Sequence, residues 1–198
     1  MLRNLIFATD NRNKVNEINR LMSENFSFRI ITKTEAGILE PIEETGTTIL
    51  ENAKLKANYI TDKYGFECFS EDTGLIVDSI GGEPGVYSAR YAGPHNDSEK
   101  NIELLLKRLE NKADRSAKFL TIIALNIKNN QFIFEGEVKG TIIKSKRGDK
   151  GFGYDPVFQP DGSDITFAEM NTDSKSKISH RGRAFNKLIQ FLNTYNLD

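Results

Sequence analysis

The run from Leu2 to Ala8 constrains the chain most, because it reads as a buried strand that passes at once into a helix. The helix carries Val15, Ile18 and Leu21/Met22 on one face, and Asn11 stands where a side chain caps its first turn. Together with further helices and a later hairpin, this early strand–helix unit points to an α/β protein with a mixed sheet.

The rest of the pattern agrees. Thr48 to Tyr64 is the clearest helix: Ile49, Ala53, Ala57, Ile60 and Tyr64 form one stripe, and Thr48 with Glu51 spell a capping box. That spacing sets Asn52 and Lys56 one turn apart on the polar face, where they meet a ligand or water. Phe66–Ser70 and Leu75–Val77 read as two short strands, and Ser98–Leu109 as an amphipathic helix through Ile102, Leu105, Leu106 and Leu109. Ala117–Ile127 and Gln131–Ile143 form a hairpin joined at Lys128-Asn-Asn130. Arg183–Tyr195 closes the chain as a helix burying Phe185, Leu188, Ile189, Leu192 and Tyr195. No repeat, low-complexity tract or Pro/Gly/Ser linker divides the 198 residues, so a single domain with a mixed sheet is expected over 1–198.

Charge narrows the partners. Lys and Arg number 27 against 28 Asp and Glu, which leaves no general attraction for nucleic acid or an anionic membrane. Any anion must then be held by a local cluster. One cysteine, Cys68, allows neither an internal disulfide nor a multi-cysteine metal site, as expected in a reducing compartment. No stretch approaches the roughly 20 apolar residues of a membrane helix, and the N-terminal run is too short for a signal peptide. A cytoplasmic protein is expected, so the sequons at Asn25 and Asn96 and the tripeptide Arg147-Gly-Asp149 read as chance matches.

Four segments carry residues suited to chemistry. Thr9-Asp10-Asn11-Arg12-Asn13-Lys14 lies where the first strand hands over to the first helix, and a helix N-terminus presents free N–H groups to a phosphate. Spacing alone favours a plain capped helix with a solvated lysine, since such junctions are common and this is no Walker P-loop. Glu43-Glu44-Thr-Gly46 and Ser70-Glu71-Asp72-Thr73-Gly74 set acidic pairs beside glycine-bearing turns, the oxygen donors a hard cation such as Mg²⁺ requires. A carboxylate there also accepts a proton from water. Solvated turn carboxylates are the alternative, which suits Glu40 and Glu43 better than Asp72.

In Gly151-Phe152-Gly153-Tyr154-Asp155 an aromatic residue flanked by glycines either offers its ring to a flat base or pins a tight turn. Lys175-Ser-Lys-Ile-Ser179-His180-Arg181-Gly182 gathers cations and planar donors for phosphate or carbonyl oxygens, or forms a solvated face. His95 reads as an ordinary loop residue.

In this order and at this spacing the segments resemble the inosine triphosphate pyrophosphatase family, also called dITP/XTP pyrophosphatases. The resemblance runs from Leu5 to about Leu188. It rests on Ala8-Thr-Asp-Asn-Arg-Asn-Lys14, Glu44-Thr-Gly46, Glu51-Asn-Ala-Lys-Leu-Lys56-Ala and Glu71-Asp-Thr-Gly-Leu75. It continues through Gly81-Gly-Glu-Pro-Gly85-Val-Tyr-Ser-Ala-Arg90, Gly151-Phe-Gly-Tyr-Asp155-Pro and Lys175-Ser-Lys-Ile-Ser-His-Arg-Gly182.

The resemblance implies an elongated mixed β-sheet flooring a cleft between two lobes that share it, with helices packed around, in a homodimer. It implies a Mg²⁺-dependent enzyme that hydrolyses non-standard purine triphosphates (ITP, dITP, XTP) to monophosphate and pyrophosphate, cleansing the nucleotide pool. Thr9 to Lys14 would bind phosphate, and Glu44 and Asp72 the metal. Asp72 would be the proton acceptor and Thr73 a substrate contact, while Phe152 to Asp155, Lys175, His180 and Arg181 would complete the nucleotide site. Three departures stand out: Asp10 where Gly is frequent, Thr73 for the usual Ser, and Asn13 where bacterial members often have Gly. A pyrophosphatase for other modified triphosphates, a nucleotide sensor and an RNA-binding module are the rival readings; the two carboxylates argue against the second and the pI of about 6.2 against the third.

Overall fold

Alternation along the first strand organises the N-terminal part of the protein. The structure, a computed structural model, describes residues 3–21 and 28–195; Leu2, Met22 and Asn25 lie outside the described residues. β1 (Arg3–Phe7), β2 (Phe28–Thr32) and β3 (Cys68–Val77) pair in parallel, with Phe7 opposite Thr32 and Phe69. Leu5 and Phe7 face a cluster built from Ile18 of α1 (Arg12–Leu21) and Ala184, Phe185, Leu188 and Leu192 of α5 (His180–Thr194). Ile6 and Ala8 face the opposite cluster, with Ile38, Cys68 and Ile60 of α2 (Ile49–Tyr64). Both faces are therefore covered, which is the condition under which parallel strands are stable.

Between these strands and the C-terminal helices run α3 (Ser98–Arg108), β5 (Ser116–Ile127) and β6 (Asn130–Ile142), with the short strands β4 (Glu83–Gly85) and β7 (Phe158–Pro160) and the short helix α4 (Thr172–Ile178). The hydrogen-bonded order is β2-β1-β3-β5-β6-β7, with β4 antiparallel to the end of β3. The sheet is thus mixed and the protein α/β, as expected.

The chain forms two compact units. The first comprises Met1–Asp72, Thr121–Gly136 and Gly182–Asp198, and the second Thr73–Leu120 and Glu137–Arg181. The second has its own core, where Leu75 and Val77 of β3 meet Ile102, Leu105 and Leu109, Phe119, Phe158 and Phe167. Local signals explain many boundaries. The Thr48 side chain accepts from Glu51 N while the Glu51 carboxylate accepts from Thr48 N, so the expected capping box is present. The β5–β6 hairpin turns through Lys128 and Asn129, both left-handed (φ 46° and 60°), as a two-residue type I′ turn requires. Among the described residues no helix is long and apolar enough to cross a membrane.

The structure departs from the sequence pattern at three places. Phe66–Ser70 and Leu75–Val77 are not separate strands: β3 runs unbroken from Cys68 to Val77, so Glu71 and Asp72 lie inside a strand. Lysines compensate the buried charges, so the backbone need not turn outward to hydrate them. Asn52 and Lys56 are on the buried side of α2, not its polar face, with 0% and 7% exposure. Finally, Lys175 belongs to α4, and the last helix begins at His180 rather than Arg183.

Candidate active site

In the first unit the Thr9–Lys14 segment is built by short side chains turned on their own backbone. Asn11 N donates to Thr9 Oγ1, and Asn11 Oδ1 accepts from Asn13 N and Lys14 N at 3.0 and 3.3 Å. The α1 cap therefore forms as expected. Asp10, Asn11, Arg12 and Asn13 are exposed, while Thr9 and Lys14 are half-buried. Lys14 Nζ reaches back to β3, donating to Glu71 O at 3.3 Å.

Lys56 organises the acidic residues. Its Nζ donates to Glu44 Oε1 at 2.6 Å, Asp72 Oδ1 at 2.9 Å and Glu71 O at 3.0 Å. Asp72, on β3, and Glu44, on the loop before α2, are thus drawn to one cation. Burial raises the Asp72 carboxyl above its ordinary pKa, against the pull of Lys56 and then Lys14. Burial opposes the charge on Lys56 as well, but Asp72 and Glu44 outweigh it and the ammonium is held more firmly than usual. The loop bearing Glu44 is tied down two residues later, where Gly46 N donates to Asn52 Oδ1 at 2.8 Å.

These donors suit a hard cation. Among the described residues no three His, Cys, Asp or Glu side chains form a ready-made cage. Mg²⁺ needs none, since it is commonly held by one or two carboxylates together with water and substrate phosphates. Glu44 and Asp72 already meet at one positive centre, which is the arrangement such an ion uses.

The second unit, taken by itself, holds the other residues that the sequence singles out. Asp155 is 3% exposed, and its Oδ2 accepts from Phe152 N at 2.8 Å and Lys175 Nζ at 2.7 Å. Gly151 (φ +75°) admits this turn, since a Cβ there would fall 2.0 Å from Asp155 Oδ2. Lys175 Nζ and Arg181 Cζ lie 5.3 and 5.2 Å from the centre of the Phe152 ring. Both cations therefore lie within cation–π range of this half-buried ring. Tyr154 instead secures the backbone: it is buried and its hydroxyl donates to Ser88 O at 2.9 Å, pinning the turn. His180 stacks on Phe119, centroids 4.4 Å apart, and both His180 and Arg181 are 3% exposed. Thr73 is half-buried on β3, Gly153 takes a left-handed φ of 61°, and His95 is exposed, in keeping with an ordinary loop residue.

Two residues of this architecture go beyond the sequence pattern, which places Lys56 and Asn52 on a polar face and singles out neither as an organising group. The one local signal is the spacing of Asn52 and Lys56, each one position before an alanine of the apolar stripe.

Comparison with known proteins accords with this architecture. The chain belongs to the Ham1 family, which it matches over residues 5–191. It is 51% identical over 188 residues to the dITP/XTP pyrophosphatase of Christiangramia forsetii, covering 95% of this chain and 98% of that protein. Among solved structures, the Staphylococcus aureus Ham1 protein superposes with a TM-score of 0.88 at 37% identity, covering 96% of this chain and 98% of the other. A HAM1 protein from Coxiella burnetii gives 0.90 at 34% identity, covering 98% and 100%.

Proposed function

We propose that this protein hydrolyses non-standard purine nucleoside triphosphates (ITP, dITP and XTP) to the monophosphate and pyrophosphate, and so clears them from the nucleotide pool. Family membership and the dITP/XTP pyrophosphatase relative support the substrate class. The observation that carries the chemistry is the Asp72 carboxyl, buried on β3 beside a protonated Lys56, with its pKa raised. A carboxylate so raised is a stronger proton acceptor than one in water, and an ion paired with it stays in place.

Thr9, Asn11, Arg12, Asn13 and Lys14 bind the triphosphate through the N-terminus of α1 and its cations, with Asp10 in the same segment. Asp72 accepts the proton of a water whose oxygen bonds to the α-phosphorus, while the bond from that phosphorus to the bridging α–β oxygen breaks. One triphosphate and one water give one monophosphate, one pyrophosphate and a proton. Glu44 and Asp72 would hold Mg²⁺, which would supply Lewis-acid charge neutralisation at the phosphates. Lys56 opposes the effect of burial on Asp72 and fixes both carboxylates in direction.

In the second unit Phe152 stacks on the base. Gly153, Tyr154 and Asp155 shape the turn behind it, Lys175 fixes that turn through Asp155, and His180 and Arg181 donate to acceptor oxygens. Thr73 contacts the substrate beside Asp72. The resemblance also carries the proposal of a homodimer in the cytoplasm, with neither nucleic acid nor membrane as partner.

The test is pyrophosphate release from a panel of nucleoside triphosphates with and without Mg²⁺. Release from ITP, dITP and XTP only with the metal is expected. Equal turnover of ATP, or turnover untouched by chelation, would overturn the reading.

A further inference from the structure

Among phosphate-binding groups a carboxylate is an electrostatic misfit, and Asp10 sits in the middle of such a segment. Its surroundings resolve the conflict. Asp10 Oδ2 lies 2.8 Å from Lys33 Nζ, and its Oδ1 accepts from Thr34 Oγ1 at 3.1 Å. Both oxygens are therefore engaged by the turn that follows β2, not by the N–H groups at the start of α1. Those groups belong to Asn11, whose Oδ1 already accepts from Asn13 and Lys14.

The sheet brings Lys33 to this position. The parallel register sets Phe7 opposite Thr32, so Lys33, one residue past the end of β2, arrives beside the Thr9–Asp10 segment. Its own N–H donates to Phe7 O at 3.1 Å. The Lys33 side chain is only 3% exposed while that of Asp10 is 61% exposed. A second contact, Nζ to Glu40 O at 2.8 Å, fixes the ammonium from the other side. A buried ammonium held by a backbone carbonyl and an exposed carboxylate is a built counter-charge rather than an incidental surface pair.

We infer that Lys33 is a positioning residue of the triphosphate site: it neutralises Asp10 and holds it in the β2 turn, so that the substrate meets a phosphate segment without a net repelling charge. This rests on the reading of Thr9–Lys14 as the phosphate-binding segment.

A double-mutant cycle tests it, read as KM for ITP, dITP and XTP at low ionic strength. Lys33→Met exposes the triphosphate to an uncompensated carboxylate and raises KM by about tenfold for all three, with kcat little changed. The effect shrinks as KCl is raised, because Asp10 is exposed and its field is screened. Adding Asp10→Asn to Lys33→Met restores KM to within about twofold of the native protein. A lysine needed only for packing would give neither the salt dependence nor the rescue.

An unchanged KM in Lys33→Met, or a double variant as weak as the single, overturns the inference. If Lys33→Met does not give a native melting transition, Lys33→Gln removes the same charge while keeping a donor, and the cycle is run on it. Lys14→Ala tells the two possible failures apart. If it leaves KM unchanged, the phosphate-site reading fails; if it raises KM while the Lys33 cycle is flat, only the role of Lys33 fails.

Discussion

Gly46 and Asn52 are in contact so close that no side chain fits between them. The Gly46 N–H donates to Asn52 Oδ1, and a Cβ on Gly46 would lie 2.6 Å from that oxygen and 2.8 Å from Glu51 Cβ. Asn52 is fully buried at the start of α2, so the helix grips the loop two residues after Glu44. Gly46→Ala should therefore lift this loop away from the helix. The expected cost is about 1–3 kcal/mol, the range for overpacking, together with a higher Mg²⁺ requirement for half-maximal turnover. Urea melts and a Mg²⁺ titration of activity measure the two effects, and a native Mg²⁺ requirement would show that the grip does not set Glu44.

Asp72→Asn removes the proposed proton acceptor while leaving the volume of the side chain almost unchanged. A loss of about 10²-fold or more in turnover is expected for a group in acid–base catalysis, with the circular dichroism spectrum retained. Near-native kcat would take Asp72 out of the mechanism.

The carboxyl of Asp72 is pulled two ways, upward by burial and downward by Lys56 and Lys14. Removing Lys56 leaves burial less opposed, so Lys56→Met should move the Asp72 pKa further up. A carboxylate acting as a base is lost as pH falls through its pKa, so a higher value would remove the proposed acceptor over a wider acidic range. A ¹³C-carboxyl titration of metal-free protein reads this directly. A pKa that falls in Lys56→Met would contradict it.

Lys14 and Lys175 keep different company, and their alanine variants should differ accordingly. Lys14 contacts the β3 backbone at Glu71, whereas Lys175 holds Asp155 and lies over Phe152. A charge-assisted contact is worth roughly 1.5–3 kcal/mol, so Lys14→Ala should weaken kcat/KM for every triphosphate alike. Lys175→Ala should also alter the preference among bases, because it loosens the turn that presents the ring. Uniform losses in both variants would return Lys175 to the phosphates.

Selectivity between purines should depend on Arg181. Inosine and xanthosine carry an acceptor oxygen at position 6, where adenine carries an amino donor. A site built on such a hydrogen bond rejects the unmatched partner by about 10⁴-fold. Arg181→Ala is expected to narrow the ITP-to-ATP gap in kcat/KM by lowering ITP turnover while ATP stays poor. An unchanged gap would assign the discrimination to other donors.

How much of this is legible in the sequence follows from the range of each interaction. The Thr48–Glu51 capping box, the Asn11 cap and the Lys128–Asn129 turn are local, and the structure forms each of them as the sequence predicts. The α/β class is equally legible, since it needs only the periodicity of the segments. Glu71 and Asp72 read as a turn because two adjacent acids rarely sit in a buried strand. The lysines that make this possible come from α1 and α2, far along the chain. Lys33 is silent in the sequence for the same reason: its value depends on a parallel register that no local window contains. Charged groups that compensate one another across the fold are legible only once the strands are paired.

The single cysteine lies on β3 at Cys68, wholly buried among Ile6, Ala8, Ile38 and Ile60, and burial pushes its thiol well above the ordinary range. Alkylating reagents attack the thiolate and require access to it, so the native protein should stay inert to maleimide until it unfolds. Maleimide uptake thus becomes a clock for global opening of the first unit, with no mutation needed. It also leaves the surface chemically blank: a cysteine installed at an exposed position such as Asn13 would be the only thiol to take a dye, ready to report a nucleotide arriving at the phosphate segment.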